Sequence, residues 1–397
     1  MINLARRDIA NHLGRYILTG FGLGLLIGVT LTMAGVYRGM VDDAKVLLGA
    51  VGADIWVVQQ HTLGPFAEPS SLQDDVARSL EGLPGVARTG NVAYLTMQVT
   101  HAGKDQRVMI AGYTPGRLGG PAFLIDGRPI SRAHYEAVAD VRTGFEVGDR
   151  LRLRRTDYTV VGLTKRMVSS GGDPMVFLSL KDAQETQFRK DNEAIINDRE
   201  RLAANPSVNK PGQPGLLPVV EELQTESHRV NAVLVRVETG QDPRRIADTI
   251  KRWKHLTAYT NKEMEDILIA KLIATAARQI ALFLIILAVV SAAIVAFIIY
   301  TMTLGKLKEL AVLKLIGTRD RTIAAMILQE ALGLGFIGFF VGKFAATLWA
   351  PVFPKHVLLL TDDALRAFGI TLAICALASV LAIRAALRID PAEAIGG

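Results

Sequence analysis

Residues 280–305 read IALFLIILAVVSAAIVAFIIYTMTLG and contain no charged side chain. The charge-free window begins at Gln279 and ends at Gly305. Because an α-helix rises about 1.5 Å per residue, about 20 apolar residues cross the hydrocarbon core of a bilayer. This stretch therefore predicts a transmembrane helix over 279–305 and places the chain among the membrane proteins.

Three further windows predict spans by the same reasoning. The first covers 16–38, the third 323–350, interrupted by Glu330 and Lys343, and the fourth 367–383. A cleaved signal peptide is the rival interpretation of the first window. Its apolar stretch is longer than a typical signal-peptide core, and no clear cleavage site follows it, which favours a retained helix. The sequence thus predicts four transmembrane helices.

The orientation of these helices follows from the lysines and arginines beside them. The flanking basic residues lie before span one, between spans two and three, and after span four: Arg6, Arg7, Arg15, Lys306, Lys308, Lys314, Arg319, Arg321, Arg384 and Arg388. The positive-inside rule assigns these segments to the cytoplasm. We therefore expect a cytoplasmic amphipathic segment over 1–15, a second cytoplasmic segment over 306–321 and a cytoplasmic tail over 384–397. The chain is therefore expected to cross a bacterial inner membrane several times, with both termini in the cytoplasm.

The segments 39–278 and 351–366 then lie outside, as a domain and a periplasmic loop. The longer one predicts a large mixed α/β domain, because short β-rich runs alternate with helical patterns, one of them over 72–80. Within it, 186–227 is polar and then rich in Asn, Pro and Gly, which marks an insertion, either a mobile flap or a passive surface loop. From Asn261 the pattern turns helical and predicts a stalk over 261–278 that runs into span two.

Composition and motifs argue against several classes of function. The net charge of +7 is not gathered in a basic patch with interleaved aromatic residues, so nucleic-acid binding is not expected. The single cysteine, Cys375, allows no intrachain disulfide, and no histidine pair has the spacing of metal ligands. Gly342-Lys343 lacks the rest of a phosphate-binding loop, and no hydrolase, zinc-protease or kinase signature occurs. We expect no catalytic residue, cofactor or metal in this chain.

Glycines recur at small-xxx-small spacing in two of the predicted spans. They are Gly20, Gly24 and Gly28 in span one, and Gly338 and Gly342 in span three. Such spacing lets helices approach closely in lipid. The pattern predicts either a seam, within one chain or between two copies, or ordinary helix packing without a partner.

The segment 306–317, KLKELAVLKLIG, predicts a short amphipathic helix that ends at Gly317. Its expected apolar face comprises Leu307, Leu310, Val312 or Leu313, and Ile316. Its expected water-facing residues are Lys306, Lys308, Glu309 and Lys314. Such a helix at a membrane surface is either a passive connector or a contact for another protein.

This segment resembles the coupling helix of the MacB/FtsX-like permeases, also called type VII ABC transporters. The family pattern runs basic–x–x–Glu–apolar–Ala–apolar–Leu–Lys–x–apolar–Gly, and the matching positions are Lys306, Glu309, Ala311, Leu313, Lys314 and Gly317. The adjacent Gln329 and Glu330 and the terminal run RIDPAEAI over 388–395 are similar to other family motifs. One span, a large external domain and three further spans are also the order of the family.

The resemblance implies a homodimeric permease that is not itself an enzyme. A separate cytoplasmic ABC ATPase would use ATP and Mg²⁺ and dock through Lys306, Glu309, Leu313, Lys314 and Gly317. Closure of the ATPases would move the external domains by mechanotransmission. This motion would drive efflux or extraction of a substrate at the outer side of the membrane, with membrane lipid around the spans. The alternative is an FtsX-like regulator of a periplasmic cell-wall hydrolase. The run ADIWVV over 53–58 resembles the DevC-like branch, which implies a membrane fusion adaptor protein and an outer-membrane channel.

Overall fold

The computed structural model describes residues 13–188, 192–209, 217–220, 228–353 and 355–388. The chain divides into two compact units, one comprising Met1–Met40 and Thr275–Gly397 and the other Val41–Ala274. We call the first the membrane bundle and the second the external domain. The predicted amphipathic segment over 1–15, the terminal motif over 388–395 and parts of the 186–227 insertion lie outside the described residues.

The elements follow one another along the chain as a single long helix, a run of strands and short helices, and then three long helices. In order they are α1 (Leu13–Val51), β1 (Ile55–Gln59), β2 (Leu72–Gln73), α2 (Val76–Glu81), β3 (Val86–His101), β4 (Lys104–Tyr113), β5 (Leu124–Gly127), β6 (Glu136–Asp140), β7 (Arg150–Leu153), β8 (Thr156–Thr164), β9 (Met175–Ser179), α3 (Leu180–Phe188), α4 (Asn192–Ala203), β10 (Arg229–Val230), β11 (Ala232–Val237), α5 (Pro243–Lys251), β12 (Leu256–Thr260), α6 (Asn261–Ile267), α7 (Ala274–Leu304), α8 (Leu307–Leu315), α9 (Asp320–Trp349) and α10 (Thr361–Leu387).

Four helices of the described chain are long and apolar enough to cross a membrane. These spans are Tyr16–Val51, Ala274–Leu304, Asp320–Val352 and Thr361–Leu387. Their facing sides and Leu310 of α8 share one apolar core, to which α1 contributes Leu23 and α9 contributes Ile327. The outer side of α7 leaves Leu282 and Phe297 largely exposed, as expected of side chains that face lipid tails. The chain therefore has the predicted four-helix architecture, with the mixed α/β domain between the first and second spans.

The glycine pattern forms a seam between α1 and α9 within one chain. A Cβ atom added to Gly28 would lie 3.0 Å from the carbonyl oxygen of Gly342, and one added to Gly342 would lie 2.6 Å from the carbonyl oxygen of Gly24. The two backbones approach too closely at these points for a side chain on either helix. Small residues are needed at such crossings in lipid. The intramolecular seam is thus the correct interpretation of this spacing.

A mixed sheet of ten strands forms the centre of the external domain. Its order is β12-β1-β11-β3-β4-β9-β6-β8-β5, and β7 pairs with β8. Most neighbours are antiparallel, but β4 and β9 run parallel, as do β6 and β8. One apolar core lies under β1 and β11 with α2 and α5, and a second lies under β4, β6 and β9. The predicted mixed α/β domain is therefore built on one continuous sheet.

The predicted helix over 72–80 is only partly correct. Leu72–Gln73 is a short strand that pairs with Arg229–Val230, and the helix begins only at Val76. The Leu72 side chain is buried beside that pairing. The sequence pattern missed this because a partner far along the chain outweighs the local helical preference.

The predicted stalk begins where the sequence places it. Thr260 and Glu263 form a capping box, in which the Thr260 hydroxyl accepts from the Glu263 N–H and the Glu263 carboxylate accepts from the Thr260 N–H. Helix α6 then passes through a π-helical turn over Leu268–Ile273 into α7 without a break. The Asn261 side-chain oxygen accepts a hydrogen bond from the buried Trp56 indole at 3.2 Å, which joins the first turn of the stalk to β1.

Candidate functional site

Helix α8, which carries the predicted coupling motif, has a defined beginning and end. Lys306 occupies its amino-terminal cap position, and its carbonyl oxygen accepts from the Leu310 N–H at 3.0 Å. At the other end Gly317 adopts a φ of 89°, and its N–H donates to the Lys314 carbonyl, while the Thr318 N–H donates to the Leu313 carbonyl. This pair of bonds is a Schellman motif, which favours glycine at the left-handed position. The predicted helix stop at Gly317 is therefore confirmed.

The side of α8 that faces the bundle differs from the predicted apolar face. Leu310 and Ala311 are buried, and Leu313 packs against the core of the bundle. Ile316, expected on the same face, is 76% exposed. It keeps a helical backbone conformation, with φ −74° and ψ −1°, and its N–H donates to the Val312 carbonyl at 3.1 Å. It therefore lies one turn after Val312, on the outward side of the helix rather than on the side of Leu310. The expectation for Ile316 was wrong for this reason.

Lys306 was expected to face water and does not. Its side chain turns into the bundle, and the residue is only 6% exposed. The ammonium group donates to the Glu330 carboxylate of α9 at 3.2 Å and to the Tyr16 hydroxyl of α1 at 3.3 Å, and it lies 5.4 Å from the centroid of the Tyr16 ring. Glu330 is 8% exposed and Tyr16 is buried. A buried ammonium is tolerated when a carboxylate and a hydrogen-bonding group face it. These two partners explain why Lys306 is buried although it was expected in water.

Lys314 also turns toward the bundle, although it was expected in water. Its ammonium donates to the backbone carbonyl of Leu387 at 2.8 Å, and its side chain is partly buried. Leu387 is the last residue of α10. The final carbonyls of a helix have no partner within the helix, and a lysine there also interacts favourably with the helix dipole. Lys314 therefore caps span four.

The outward side of α8 combines one carboxylate with apolar groups. Glu309 is exposed in its first turn, and Val312, Leu315 and Ile316 expose much of their side chains. We call these four residues the docking surface. An exposed apolar patch with polar residues at its edge is typical of a protein-protein contact.

The structure thus separates the predicted coupling residues into two groups. Glu309 and Gly317 lie on the accessible side, whereas Lys306, Leu313 and Lys314 contact the bundle. Sequence reasoning did not assign Tyr16 or the Leu387 carbonyl to this site. Glu330 gave a usable signal, because an ionisable residue inside an apolar window implies a nearby partner.

Comparison with known families bears directly on this architecture. The profile of the MacB-like periplasmic core domain matches residues 17–253, which is more than half of the chain. The profile of the FtsX-like permease C-terminal region matches residues 281–391. The chain belongs to the MacB/FtsX-like family of ABC transporter permeases.

The chain is also similar to individual proteins. An uncharacterized ABC transporter permease of Mycobacterium tuberculosis is 26% identical over 400 residues, covering 100% of both chains. Another from Mycobacterium bovis is 23% identical over 397 residues, again covering 100% of both. Among solved structures, the periplasmic region of MacB from Actinobacillus actinomycetemcomitans aligns with 10% identity and a TM-score of 0.35, covering 56% of this chain and 96% of that one. The extracellular domain of YknZ aligns with 12% identity and a TM-score of 0.31, covering 52% and 99%.

Membership in this family defines the general role of the MacB/FtsX-like permease. It is the membrane subunit of an ABC transporter, which implies a partner ABC ATPase. The names of its relatives are consistent with a subunit that has no catalytic site of its own. The four spans and the periplasmic core domain make it a multi-pass membrane protein.

Proposed function

We propose that this permease transmits ATP-driven motion of a separate cytoplasmic ATPase to its external domain, so that a substrate is exported or extracted by mechanotransmission. ATP and Mg²⁺ belong to the partner. The permease contributes the docking surface on α8, the bundle that carries it and the helices that lead out of the bundle. The residues 306–321 and both termini face the cytoplasm in this proposal, in keeping with the positive-inside rule.

The observation that supports the proposal most directly is the outward side of α8. Val312, Leu315 and Ile316 present apolar surface beside the Glu309 carboxylate, on a helix whose other side is packed into the bundle core. Apolar anchors that lose water on binding supply most of the affinity of a protein contact, and a charge at their edge contributes orientation. The partner that fits this surface is the ATPase that membership in the family implies.

Chain connectivity supports transmission away from that surface. Helix α1 runs without interruption from Leu13 to Val51, and α6 joins α7 through the π-helical turn. Within the external domain, Lys45 near the end of α1 forms an ion pair with Glu265 of α6 at 3.3 Å. Continuous helices resist bending, so displacement of their inner ends is carried along their length.

The wider complex is part of the proposal. We expect two copies of the permease to act together with two ATPases. A membrane fusion adaptor protein and an outer-membrane channel remain predictions from the resemblance of ADIWVV to the DevC-like branch. The corresponding residues have structural contacts in this chain, because Trp56 is buried and Asp54 accepts from the Val237 N–H at 2.9 Å.

The test is ATPase stimulation by the permease reconstituted in lipid nanodiscs. Glu309→Ala and a Leu315→Ser/Ile316→Ser double variant should each weaken binding of the ATPase by about tenfold or more and reduce the stimulation accordingly. The matched control is Asp362→Ala, since Asp362 is also an exposed acid in the first turn of a helix but lies at the start of span four. Full stimulation by both docking variants would contradict the proposal.

Accessibility of single cysteines tests the orientation independently. In a Cys375→Ala background, Ile316→Cys should react with a membrane-impermeant maleimide only after the membrane is opened, whereas Phe123→Cys in the external domain should react in intact cells. Both side chains are exposed in the structure. Reaction of Ile316→Cys in intact cells would contradict the orientation.

Normal ATPase stimulation without cargo movement, together with a purified cell-wall hydrolase bound by the external domain, would favour the FtsX-like regulator instead.

A further inference from the structure

Both lysines of the coupling motif that were expected to face a partner instead contact the membrane bundle. Lys306 precedes the first helical residue of α8, and Lys314 lies in its last turn. They are separated by eight residues, or about 12 Å along a helix. The two ammonium groups therefore hold opposite ends of the same short helix.

The contacts of Lys306 join α8 to two different spans. The Nζ atom reaches Glu330 of α9 at 3.2 Å and Tyr16 of α1 at 3.3 Å. All three residues are nearly inaccessible to solvent. A charge pair that has left water is stable only while its geometry is maintained, because displacing one partner leaves the other uncompensated. Such a contact resists separation of α8 from α1 and α9 more strongly than an exposed ion pair would.

The contact of Lys314 joins the other end of α8 to span four. Its ammonium donates to the Leu387 carbonyl at 2.8 Å. This bond uses a carbonyl that α10 leaves without a helical partner. It is independent of the Lys306 contact, since it involves another lysine, another helix and a backbone rather than a side-chain acceptor.

Helix α8 needs such contacts because it is short and flanked by glycines. It has 9 residues, with Gly305 before Lys306 and Gly317 after Ile316. A helix of this length has little stability of its own, and glycine allows the backbone on either side to turn freely. Among the α8 side chains that the structure describes, Leu310 belongs to the bundle core and Leu313 packs against it.

We propose that Lys306 and Lys314 are positioning residues that fasten the two ends of the coupling helix to spans one, three and four, so that force on the docking surface displaces these spans rather than turning the helix about its glycines. This role deepens the proposed function and rests on it, because the force comes from a docked ATPase. It assigns the two lysines to transmission and leaves partner binding to Glu309, Val312, Leu315 and Ile316.

The first experiment measures the position of α8 in the permease alone. Spin labels at Leu315→Cys and Leu365→Cys, both exposed sites of the bundle, in a Cys375→Ala background, report the distance between α8 and the outer end of α10 in nanodiscs. The distance distribution should be narrow in the parent and should broaden in Lys306→Met and in Lys314→Met. Arg321→Met is the control, because Arg321 is an exposed basic residue in the first turn of α9, and it should leave the distribution unchanged.

The second experiment measures coupling with the ATPase present, without the labels. Lys306→Met and Lys314→Met should each reduce ATPase stimulation by about tenfold, while the affinity for the ATPase changes by less than about threefold. The charge exchange Lys306→Glu/Glu330→Lys should restore both the narrow distribution and most of the stimulation, since it rebuilds the ion pair with reversed polarity. If Lys306→Met fails to insert as a monodisperse protein, the exchange variant and Lys314→Met provide the test.

The outcomes distinguish this inference from the proposed function. An unchanged distance distribution in both Lys306→Met and Lys314→Met would overturn the positioning role, even if Glu309→Ala abolished stimulation as expected. If only Lys314→Met and the exchange variant can be measured, an unchanged distribution in Lys314→Met or a broadened one in the exchange variant would overturn it. A loss of ATPase affinity equal to the loss of stimulation would also overturn it, because the lysines would then act as docking residues. Broadened distance distributions in Lys306→Met and Lys314→Met, combined with normal ATPase stimulation by Glu309→Ala, would instead contradict the proposed docking surface. The positioning role of the two lysines would then still stand.

Discussion

Two glutamates of this permease lose nearly all contact with solvent, one in the membrane bundle and one in the external domain, and their charges are balanced differently. Glu330 is 8% exposed and faces Lys306, which is equally buried. Glu136 is 4% exposed and faces Arg128, whose side chain is 48% exposed. The carboxylates are alike in burial, but only the first has a counter-charge that has also left water.

The surroundings of Glu136 compensate its charge in several ways. The Arg128 guanidinium binds it through two nitrogens at 2.6 and 3.1 Å. The backbone N–H groups of Ser131 and Arg132 donate at 2.9 and 3.0 Å. Together these donors lower the pKa of Glu136 to about 2, the Arg128 hydrogen bonds being the largest cause. The carboxylate would keep two backbone donors even without its arginine.

Burial of an acid therefore does not by itself set the energetic cost of losing its partner. That cost depends on whether the partner is also desolvated and on how many other donors remain. The Lys306–Glu330 pair should therefore behave as a unit, whereas Glu136 belongs to a distributed network that water can partly replace.

The largest effect is expected when Lys306 is replaced by Met. Removing the ammonium leaves Glu330 charged and buried, so the bundle should lose about 3–5 kcal/mol of stability. The measurement is thermal or denaturant unfolding of the permease in detergent micelles. The Lys306→Met/Glu330→Met double variant should recover most of the loss, because apolar groups then fill the site without an uncompensated charge. Equal destabilisation by the single and double variants would show that the two residues are not energetically coupled.

Whether a feature could be predicted from the sequence depends on how far along the chain its partners lie. Span two and the alternating strands of the external domain follow from local periodicity, which depends on neighbours within a few residues. Lys306 finds its partners 24 and 290 positions away, at Glu330 and Tyr16. Periodicity treats every lysine as a solvent-facing residue, so it cannot identify one that is neutralised from another span.

The geometry of α8 was predictable in part for a related reason. Glu309 and the turn at Gly317 belong to local signals, an acid in the first helical turn and a left-handed glycine after the last. Ile316 lies one helical turn after the exposed Val312, so its orientation is local, whereas that of Lys314 depends on the end of α10. Strand β2 was missed similarly, since Leu72–Gln73 pairs with Arg229–Val230. Distant partners therefore account for the errors at Lys306, Lys314 and strand β2.

An intermediate effect is expected from Glu136→Gln, and it should depend on pH. Because the pKa of Glu136 lies well below its usual value of 4.5, its charged form stabilises the folded state. That contribution is complete above pH 5 or so and is lost as the pH falls from about 4.5 toward about 2. The variant should therefore lose about 1–2 kcal/mol at neutral pH and show a shallower fall in stability between about pH 5 and 3 than the wild type.

Asp140 also contributes to the pH dependence of stability and must be separated from Glu136 in this measurement. Burial raises the pKa of Asp140, so its contribution to the pH dependence has the opposite sign. Subtracting the Glu136→Gln profile from that of the wild type removes the Asp140 contribution, which is common to both. Parallel profiles of the two proteins between about pH 5 and 3 would contradict the low pKa of Glu136.

The smallest effect is expected at the edge of the same network, from Arg132→Gln. The Arg132 guanidinium lies 3.7 Å from the Glu136 carboxylate, and its side chain is 81% exposed. Water and salt screen a pair of this kind, and the Arg132 backbone N–H, which makes the closer contact, is unaffected by the substitution. Denaturant unfolding should therefore give a stability within about 0.5 kcal/mol of the wild type. A loss as large as that of Lys306→Met would mean that the guanidinium is as desolvated as the bundle lysine, and the contrast between the two glutamates would disappear.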